Sequence, residues 1–282
     1  MKEIQVSEVT AVIAGLCREA NYFLPEDVEK ALAEAKAREQ SSLCREIIGD
    51  ILKNAAIARR EEVPICQDTG LAVIFMEVGQ DVHFTGGSLE DAVNAGVRQG
   101  YTEGYLRKSA LADPLIRRKN TGDNTPAMLN VRIVPGDEVH ITVAPKGGGS
   151  ENMSALGMLK PAQGREGVKQ FIVDAVSRAG SNPCPPIIVG VGVGGTIEKT
   201  ALAAKHSLLR EVGEHNPDPE IAAFEEEVLE AVNRLGIGAQ GFGGTQTALA
   251  VNVETVGAAH LASLPVVVNL QCHVARHKSA VL

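Results

Sequence analysis

The sequence predicts a mixed fold, between α/β and α+β, with a helical N-terminal segment followed by intermixed strands and helices around mixed sheets. The first observation is apolar residues at helical spacing through residues 6–60. The second is a series of short apolar runs typical of buried strands, separated by further helical patterns. No repeat, low-complexity tract or linker divides the chain. We therefore predict one domain over residues 1–282, with a helical part at about 1–62 and an α/β part at about 63–282.

The N-terminal part begins with helices. Pro25 and the acidic residues after it favour a helix start at Glu26, because proline and carboxylates suit the first turn of a helix. The apolar spacing of residues 43–60 predicts another helix that ends before Pro64. An uninterrupted apolar run then predicts a buried strand at 71–78, and a helical pattern follows at 88–108.

The rest of the chain alternates between strands and helices. Residues 130–144 alternate in polarity around the turn Pro135-Gly136-Asp137, which predicts a β-hairpin. Further strands are predicted at 187–191, 248–253 and 266–270, and further helices at 164–179, 196–213, 219–235 and 256–264.

The composition argues against several classes of partner. The chain has 27 basic and 35 acidic residues, a net charge of −8 and no basic block, so no nucleic-acid partner is expected. No apolar run is as long as a transmembrane helix, and the first residues do not resemble a secretion signal, so we expect a cytoplasmic protein without a membrane partner. With no Trp, three Tyr and six Phe, a stacking site for bases is not expected.

Three of the five cysteines lie in turn-forming sequence. Cys66, Cys184 and Cys272 have proline, glycine or amide residues beside them, whereas Cys17 and Cys44 lie in helical patterns and are predicted core residues. A loop offers a thiolate backbone N–H groups and room for a ligand. Three thiolates are too few for a tetrahedral zinc site but suit a four-iron cluster that leaves one iron open. The alternative is three separate buried thiols.

Two segments carry residues suited to acid–base or anion chemistry. Asp68 is two residues from Cys66, so in an extended loop its carboxylate lies on the same side as the thiolate. The alternative is a side chain that caps the Thr69-Gly70 turn. Gly147-Gly148-Gly149 follows a strand and allows backbone N–H groups to approach an anion, most naturally a carboxylate. The alternative is a mobile loop.

Other features have a functional and a structural interpretation. Gly192-Val193-Gly194-Gly195 resembles part of a dinucleotide fingerprint, but its spacing favours strand-to-helix packing. The polar turn at 120–126 predicts a rigid loop. Arg107 is a candidate for binding a carboxylate, or else a solvated side chain. His260 is a hydrogen-bonded core residue unless a neighbouring acid sets its tautomer. We interpret the basic segment 273–277 as neutralising local acids.

Six groups of motifs occur in one order between about Ile47 and Arg276. They are Pro-Ile-Cys-Gln-Asp-Thr-Gly (64–70), Asn-Thr-Gly-Asp-Asn-Thr-Pro (120–126), Lys-Gly-Gly-Gly-Ser-Glu-Asn (146–152), Asn-Pro-Cys-Pro-Pro (182–186) with Gly-Val-Gly-Gly-Thr (192–196), Gly-Phe-Gly-Gly-Thr (241–245) and Gln-Cys-His (271–273). Together they resemble the α subunit of the class I, iron–sulfur fumarate hydratases. Tartrate dehydratase α subunits share the same pattern.

The resemblance implies a [4Fe-4S] cluster held by Cys66, Cys184 and Cys272, with a fourth iron that binds the hydroxyl and a carboxylate oxygen of the substrate. It also implies an active site around the substrate. The residues it places there are Gln67, Asp68, Arg107, Gly148 and Gly149, with His260 near the reaction centre. Asp68 is the residue expected to handle a proton.

The implied function is the reversible hydration of fumarate to malate by one subunit of a hydro-lyase. In fused members of the family a second domain supplies a catalytic threonine and basic clamps. This chain continues only ten residues beyond Cys272, so we expect a separate β subunit to complete the site, in an α2β2 assembly. The alternative within the family is dehydration of L-tartrate. Two alternatives outside it are a non-catalytic iron–sulfur sensor and a nucleotide-dependent dehydrogenase that uses Gly192 to Gly195.

Overall fold

A computed structural model describes residues 1–282 and confirms the mixed α/β class with its helical N-terminal segment. The first elements are β1 (Lys2–Gln5), α1 (Val6–Tyr22), α2 (Glu26–Arg38) and α3 (Ser42–Glu61). As predicted, Pro25 directly precedes α2, whose first turn is acidic. None of the helices is long and apolar enough to cross a membrane.

The later elements alternate between strands and helices. In chain order they are β2 (Leu71–Gly79), β3 (Val82–Thr85), α4 (Leu89–Glu103), β4 (Leu111–Asp113), β5 (Lys119–Asn120), β6 (Met128–Val134), β7 (Val139–Lys146), α5 (Gly148–Glu151), β8 (Ala155–Leu159), α6 (Gly164–Ala179), β9 (Ile187–Gly194), α7 (Ile197–His206), α8 (Pro219–Asn233), β10 (Ala248–Val256), β11 (Leu264–Gln271) and β12 (Lys278–Val281). The helix predicted at 164–179 is α6 with the same bounds.

The chain forms two compact units, each built from separated segments. The first unit contains Met1–Leu24, Ala55–Gly148 and Arg276–Leu282, and the second contains Pro25–Asn54 and Gly149–Ala275. The description of the whole chain as one domain stays a prediction.

The first unit contains a four-stranded sheet in the order β12-β7-β2-β6, with α1 packed against α4 and β7. The predicted hairpin at 130–144 is wrong, because β2 lies between β6 and β7 and pairs with both, parallel to β6 and antiparallel to β7. The alternating polarity identified two strands correctly. It did not identify their partner, which is the largely buried, apolar strand β2.

The second unit contains a mixed sheet in the order β10-β9-β11-β8. Helices α6 and α8 and one face of β9, β10 and β11 form its apolar core. On the other face α7 approaches β9 closely, since a Cβ at Gly190 would lie 2.3 Å from the Ala204 carbonyl oxygen and one at Gly192 would lie 2.1 Å from that of Thr200. This close approach confirms the interpretation of the glycine-rich segment as strand-to-helix packing.

The helix predicted at 256–264 is wrong. Strand β10 extends to Val256 and β11 begins at Leu264, so the intervening residues form only a short connection. Within it Ala258 has a φ of +61°, which is not helical. Strands β10 and β11, each paired with β9, thus override the local apolar spacing. The predicted helices at 88–108 and 196–213 also end earlier, at Glu103 and His206.

Candidate active site

In the first unit, Cys66 and Asp68 lie in one turn between α3 and β2. The Asp68 backbone N–H donates to the Cys66 sulfur at 3.4 Å. The exposed Gln67 places its Oε1 3.4 Å from the same sulfur. The structure therefore brings these three predicted site residues together around a partly exposed thiol.

The Asp68 carboxylate links this turn to the glycine-rich segment. Its Oδ1 accepts from the Gly70 N–H at 3.1 Å, which is the predicted turn cap. Its Oδ2 accepts from the Gly148 N–H at 2.7 Å. The two interpretations of Asp68 are thus compatible, because one oxygen caps the turn and the other contacts the proposed anion-binding loop. Gly149 belongs to the second unit, where a Cβ added to it would lie 3.1 Å from the Asn182 carbonyl oxygen.

Buried donors hold the carbonyl groups of the same turn. Arg276 donates from Nη2 to the Asp68 carbonyl. The Tyr101 hydroxyl lies 2.9 Å from the Thr69 carbonyl oxygen and 3.1 Å from that of Gly70. Burial raises the pKa of Tyr101 far above its usual range, so the hydroxyl keeps its proton for donation.

Arg107 is positioned by its backbone. Because α4 ends at Glu103, Arg107 lies in an irregular segment rather than at the helix end that the sequence suggested. The Arg107 N–H donates to Thr69 Oγ1 at 2.8 Å, and that hydroxyl lies 3.3 Å from the Arg107 carbonyl oxygen. The Arg107 side chain is exposed. It is therefore accessible to a ligand.

The polar turn at 120–126 makes hydrogen bonds that connect the segments of this site. Asn124 is buried, and its Oδ1 accepts from the backbone N–H groups of Ser109 at 2.7 Å and Ala110 at 3.1 Å. Its Nδ2 donates to the Gly70 carbonyl at 3.2 Å. One side chain therefore ties the segment that carries Arg107 to the turn that carries Asp68.

Asp123 accepts hydrogen bonds from its own turn, which is the part of the rigid-loop prediction that the structure shows. Burial alone would raise its pKa, but hydrogen bonds from the Thr125 hydroxyl and backbone and from Arg98 lower it to about 2.

In the second unit, Cys184 and Cys272 lie at the same end of the sheet. Cys184 comes just before β9 and Cys272 directly after β11, and the antiparallel register pairs Ile188 with Gln271. The His273 N–H donates to the Cys184 carbonyl at 3.2 Å, and its Nδ1 lies 2.9 Å from the same oxygen. Both thiols are partly exposed. The two cysteine turns are thus hydrogen-bonded to each other.

His260 lies at the other end of that sheet. It is exposed, in the connection before β11, and its Nδ1 accepts from the Ala262 N–H at 3.1 Å. The eight-residue strand β11 separates it from Cys272, which corresponds to about 25 Å. The structure therefore does not bring His260 near Cys272, and the interpretation of His260 as a core residue is wrong. The apolar spacing around His260 predicts a helix at 256–264, and this helix does not form.

The donor chemistry of the three turn cysteines is that of iron–sulfur ligands. No group of three His, Cys, Asp or Glu side chains is gathered closely enough to bind one ion. Cysteines of a cluster bind different irons and need not converge on one point. The three turn cysteines are partly exposed, whereas Cys17 and Cys44 are buried as predicted, and burial raises the pKa of the Cys17 thiol to about 12. Taken one by one, the turn cysteines offer the accessible sulfur that an iron–sulfur cluster requires.

Sequence reasoning missed four residues of the site: Thr69, Tyr101, Asn124 and Arg276. Segment 273–277 was interpreted as neutralising acids, but Arg276 is 3% exposed and binds a carbonyl. Tyr101 lies within the helical pattern predicted at 88–108, which suggests no partner for its hydroxyl. A buried tyrosine hydroxyl needs a partner, and that requirement was the available signal.

Comparison with known proteins identifies the family. Residues 10–281 match the family model described as fumarate hydratase (fumerase). A putative L(+)-tartrate dehydratase subunit alpha of Methanocaldococcus jannaschii is 42% identical over 271 residues, covering 94% of each chain. The L(+)-tartrate dehydratase subunit alpha of Escherichia coli K12 is 31% identical over 273 residues, covering 96% of this chain and 89% of that protein. The chain belongs to the fumarate hydratase family of hydro-lyases, which confirms the resemblance.

Proposed function

We propose that this chain is the α subunit of a hydro-lyase that reversibly hydrates fumarate to malate. The observation that carries the proposal is the fixed position of Asp68 beside Cys66 and the Gly148 N–H. The backbone N–H of Arg107 donates to the hydroxyl of Thr69, the residue that follows Asp68. A candidate proton donor, held by the Gly148 N–H, and a cation thus lie on connected segments. Membership of the family supports the reaction class.

Cys66, Cys184 and Cys272 would hold a [4Fe-4S] cluster. When bound, the cluster supplies a Lewis-acidic iron that polarises the oxygen added to or removed from the substrate. Partly exposed thiols of this kind stay reduced in the cytoplasm, where we place the protein.

Asp68 is the residue to which we assign the proton. Each of its oxygens accepts one N–H bond and keeps a second lone pair, which leaves a position for a proton exchanged with a substrate carbon. Because both oxygens are held, the carboxyl group keeps one orientation during the exchange. Gln67, Gly148 and Gly149 would orient the substrate around it.

Arg107 would bind one substrate carboxylate through its planar guanidinium. A dianion needs a second cationic group, and we propose that a β subunit supplies it in an α2β2 assembly. The names of the two relatives as alpha subunits support this part of the proposal.

L(+)-tartrate is the second candidate substrate, because both compared relatives are named as tartrate dehydratase subunits. Malate and tartrate both carry two carboxylates and a 2-hydroxyl group, so the same residues would bind either one. Tartrate carries a second hydroxyl group that malate lacks.

The test is an assay of the α–β complex after anaerobic iron reconstitution, with malate, fumarate and L(+)-tartrate as substrates. Asp68→Asn is expected to lower kcat about a hundredfold or more, the usual loss for a positioned acid–base group, without changing cluster absorbance. Arg107→Ala is expected chiefly to raise KM. The control Asp50→Asn alters an exposed carboxylate on α3 and is expected to be neutral. Full activity of Asp68→Asn, or no turnover of any substrate by a complex with a full cluster, contradicts the proposal.

A further inference from the structure

The β4–β5 hairpin of the first unit exposes an apolar tip. Leu115 and Ile116 are 81% and 76% exposed, among the highest values for large apolar side chains in the chain. Single exposed apolar residues are ordinary on protein surfaces. Two adjacent ones at the end of an antiparallel hairpin form a small hydrophobic contact surface.

The same hairpin concentrates positive charge on an acidic chain. Arg117, Arg118 and Lys119 follow the apolar tip directly, and all three are exposed. The whole chain has a net charge of −8. The charge of this hairpin is therefore opposite to that of the molecule that carries it, and it complements an acidic surface.

The tip is held in one conformation. The Asp113 carboxylate accepts from the backbone N–H groups of Leu115 at 3.1 Å, Ile116 at 3.0 Å and Arg117 at 2.9 Å. Arg118 has a φ of +47° and donates from Nη1 to the Pro114 carbonyl at 3.0 Å. A partner that binds the tip would therefore pay little of the entropy needed to order a flexible loop.

The base of the hairpin is connected to the candidate active site. The Thr121 N–H donates to the Ala110 carbonyl at 3.0 Å. Asn124 binds the Ala110 N–H with its Oδ1 and the Gly70 carbonyl with its Nδ2. A protein that binds the tip is thus placed on a segment attached to the Asp68 turn.

We infer that this hairpin, residues 111–120, is the docking element for the β subunit, which would present an acidic rim around an apolar pocket. The inference rests on the proposed function, since it requires that a β subunit exists. Two apolar side chains are too few for stable attachment to a membrane. A symmetric contact between two copies of this hairpin would bring like charges together.

The test measures binding of the reconstituted α chain to its cognate β subunit by calorimetry. The double variant Leu115→Asp with Ile116→Asp is expected to raise Kd at least about 30-fold, the loss typical of a central interface contact. The matched control is Leu156→Asp with Met158→Asp on β8, which are 49% and 57% exposed. This control is expected to bind as the wild type does.

A second pair of variants tests the charge. Arg117→Glu with Arg118→Glu is expected to slow association and to reduce its dependence on salt. The control is Arg60→Glu with Arg234→Glu, two arginines in exposed ion pairs. Thermal melting of each α variant checks that the fold is intact.

Three outcomes overturn the inference. The first is an unchanged Kd for the tip variant, and the second is an equal loss in the β8 control. The third is a tip variant that loses only self-association of α or binding to anionic vesicles, which would identify a second copy or a membrane as the occupant. If wild-type α forms no complex with β, both this inference and the β subunit of the proposed function fail. Unchanged binding by the tip variant contradicts the docking site alone.

Discussion

Asp68 takes its orientation from the whole turn around it. Its own carbonyl binds Arg276, and the carbonyl groups of the next two residues bind Tyr101 and Asn124. A rotation of the turn that moved the Asp68 carboxylate would break these bonds inside a buried region, where an unpaired polar group costs about 1–3 kcal/mol. The structure therefore restricts Asp68 through three side chains that do not contact a substrate position.

The five cysteines allow a controlled test of the ligand set. Cys66→Ser, Cys184→Ser and Cys272→Ser are each expected to abolish the visible absorbance of the cluster after anaerobic reconstitution, because a serine oxygen is a poor ligand for this iron. Cys17→Ser and Cys44→Ser are expected to retain it, since both thiols are buried in the core. Iron content and absorbance are the measurements. Loss of the cluster in either control variant would show that the assignment is wrong.

A variant of Arg276 tests whether this residue positions the Asp68 turn or only stabilises the fold. Arg276 is buried and donates one hydrogen bond, from Nη2 to the Asp68 carbonyl, which Arg276→Met removes. We expect about a tenfold lower kcat in the α–β complex, because the Asp68 turn loses a restraint, and Tm measured on the same variant separates this effect from a loss of stability. Arg276→Lys keeps a donor and is expected to recover part of the loss. Unchanged kcat in Arg276→Met would show that Arg276 has no positioning role.

At the scale of the elements, Glu39 fastens the end of α2 to the glycine-rich segment at 241–245. Its buried carboxylate accepts from the backbone N–H groups of Ser41 at 2.9 Å, Thr245 at 3.0 Å and Gln246 at 3.1 Å. Gly244 has a φ of +111°, which favours glycine, and a Cβ there would lie 2.8 Å from the Glu39 Oε2. Within the second unit, the end of the glycine-rich segment therefore binds the Glu39 carboxylate of the same chain.

The lowered pKa of Glu39 predicts that the free energy of unfolding depends on pH. Burial alone would raise its pKa, but the N–H groups of Ser41, Thr245 and Gln246 hold it below its usual value. Its stabilisation is therefore present above the unfolded pKa of about 4.3 and lost as the pH falls through the lower folded pKa. Glu39→Gln is expected to reduce the free energy of unfolding by about 1.5–3 kcal/mol at pH 7, and by less near pH 3.

Urea unfolding at the two pH values measures this difference. Glu34→Gln is the control, because Glu34 is an exposed carboxylate on the same helix. A loss in Glu39→Gln that is as large near pH 3 as at pH 7 would exclude the proposed linkage.

The elements also show how far the sequence predicted the structure. Helix α6 was predicted with its observed bounds because its apolar spacing is local and its packing agrees with it. The partners of β6 and β7 were not predicted, because strand pairing depends on β2, which lies far away in the chain. At the site, motifs predicted that Cys66 and Asp68 would lie together. Arg276 was missed because its contact with Asp68 joins distant residues.

At the scale of the whole molecule, charge argues that this chain does not bind a dicarboxylate alone. The net charge of −8 disfavours the approach of a dianion. Of the two arginines that contact the Asp68 turn, Arg276 is buried against a carbonyl, which leaves Arg107 exposed. One guanidinium matches one carboxylate. We infer that the other carboxylate binds cationic groups that the β subunit would supply.

We therefore predict that isolated α with a full cluster turns over fumarate, malate and L(+)-tartrate negligibly, and that adding β restores activity. The same preparation of α serves in both assays, so a difference cannot come from cluster content, which is measured by iron analysis. Substrate binding to α alone is expected to be weak and to weaken further with salt, because the exposed Arg107 guanidinium matches only one of the two carboxylates. Efficient turnover by α without β would show that this sequence contains the whole active site.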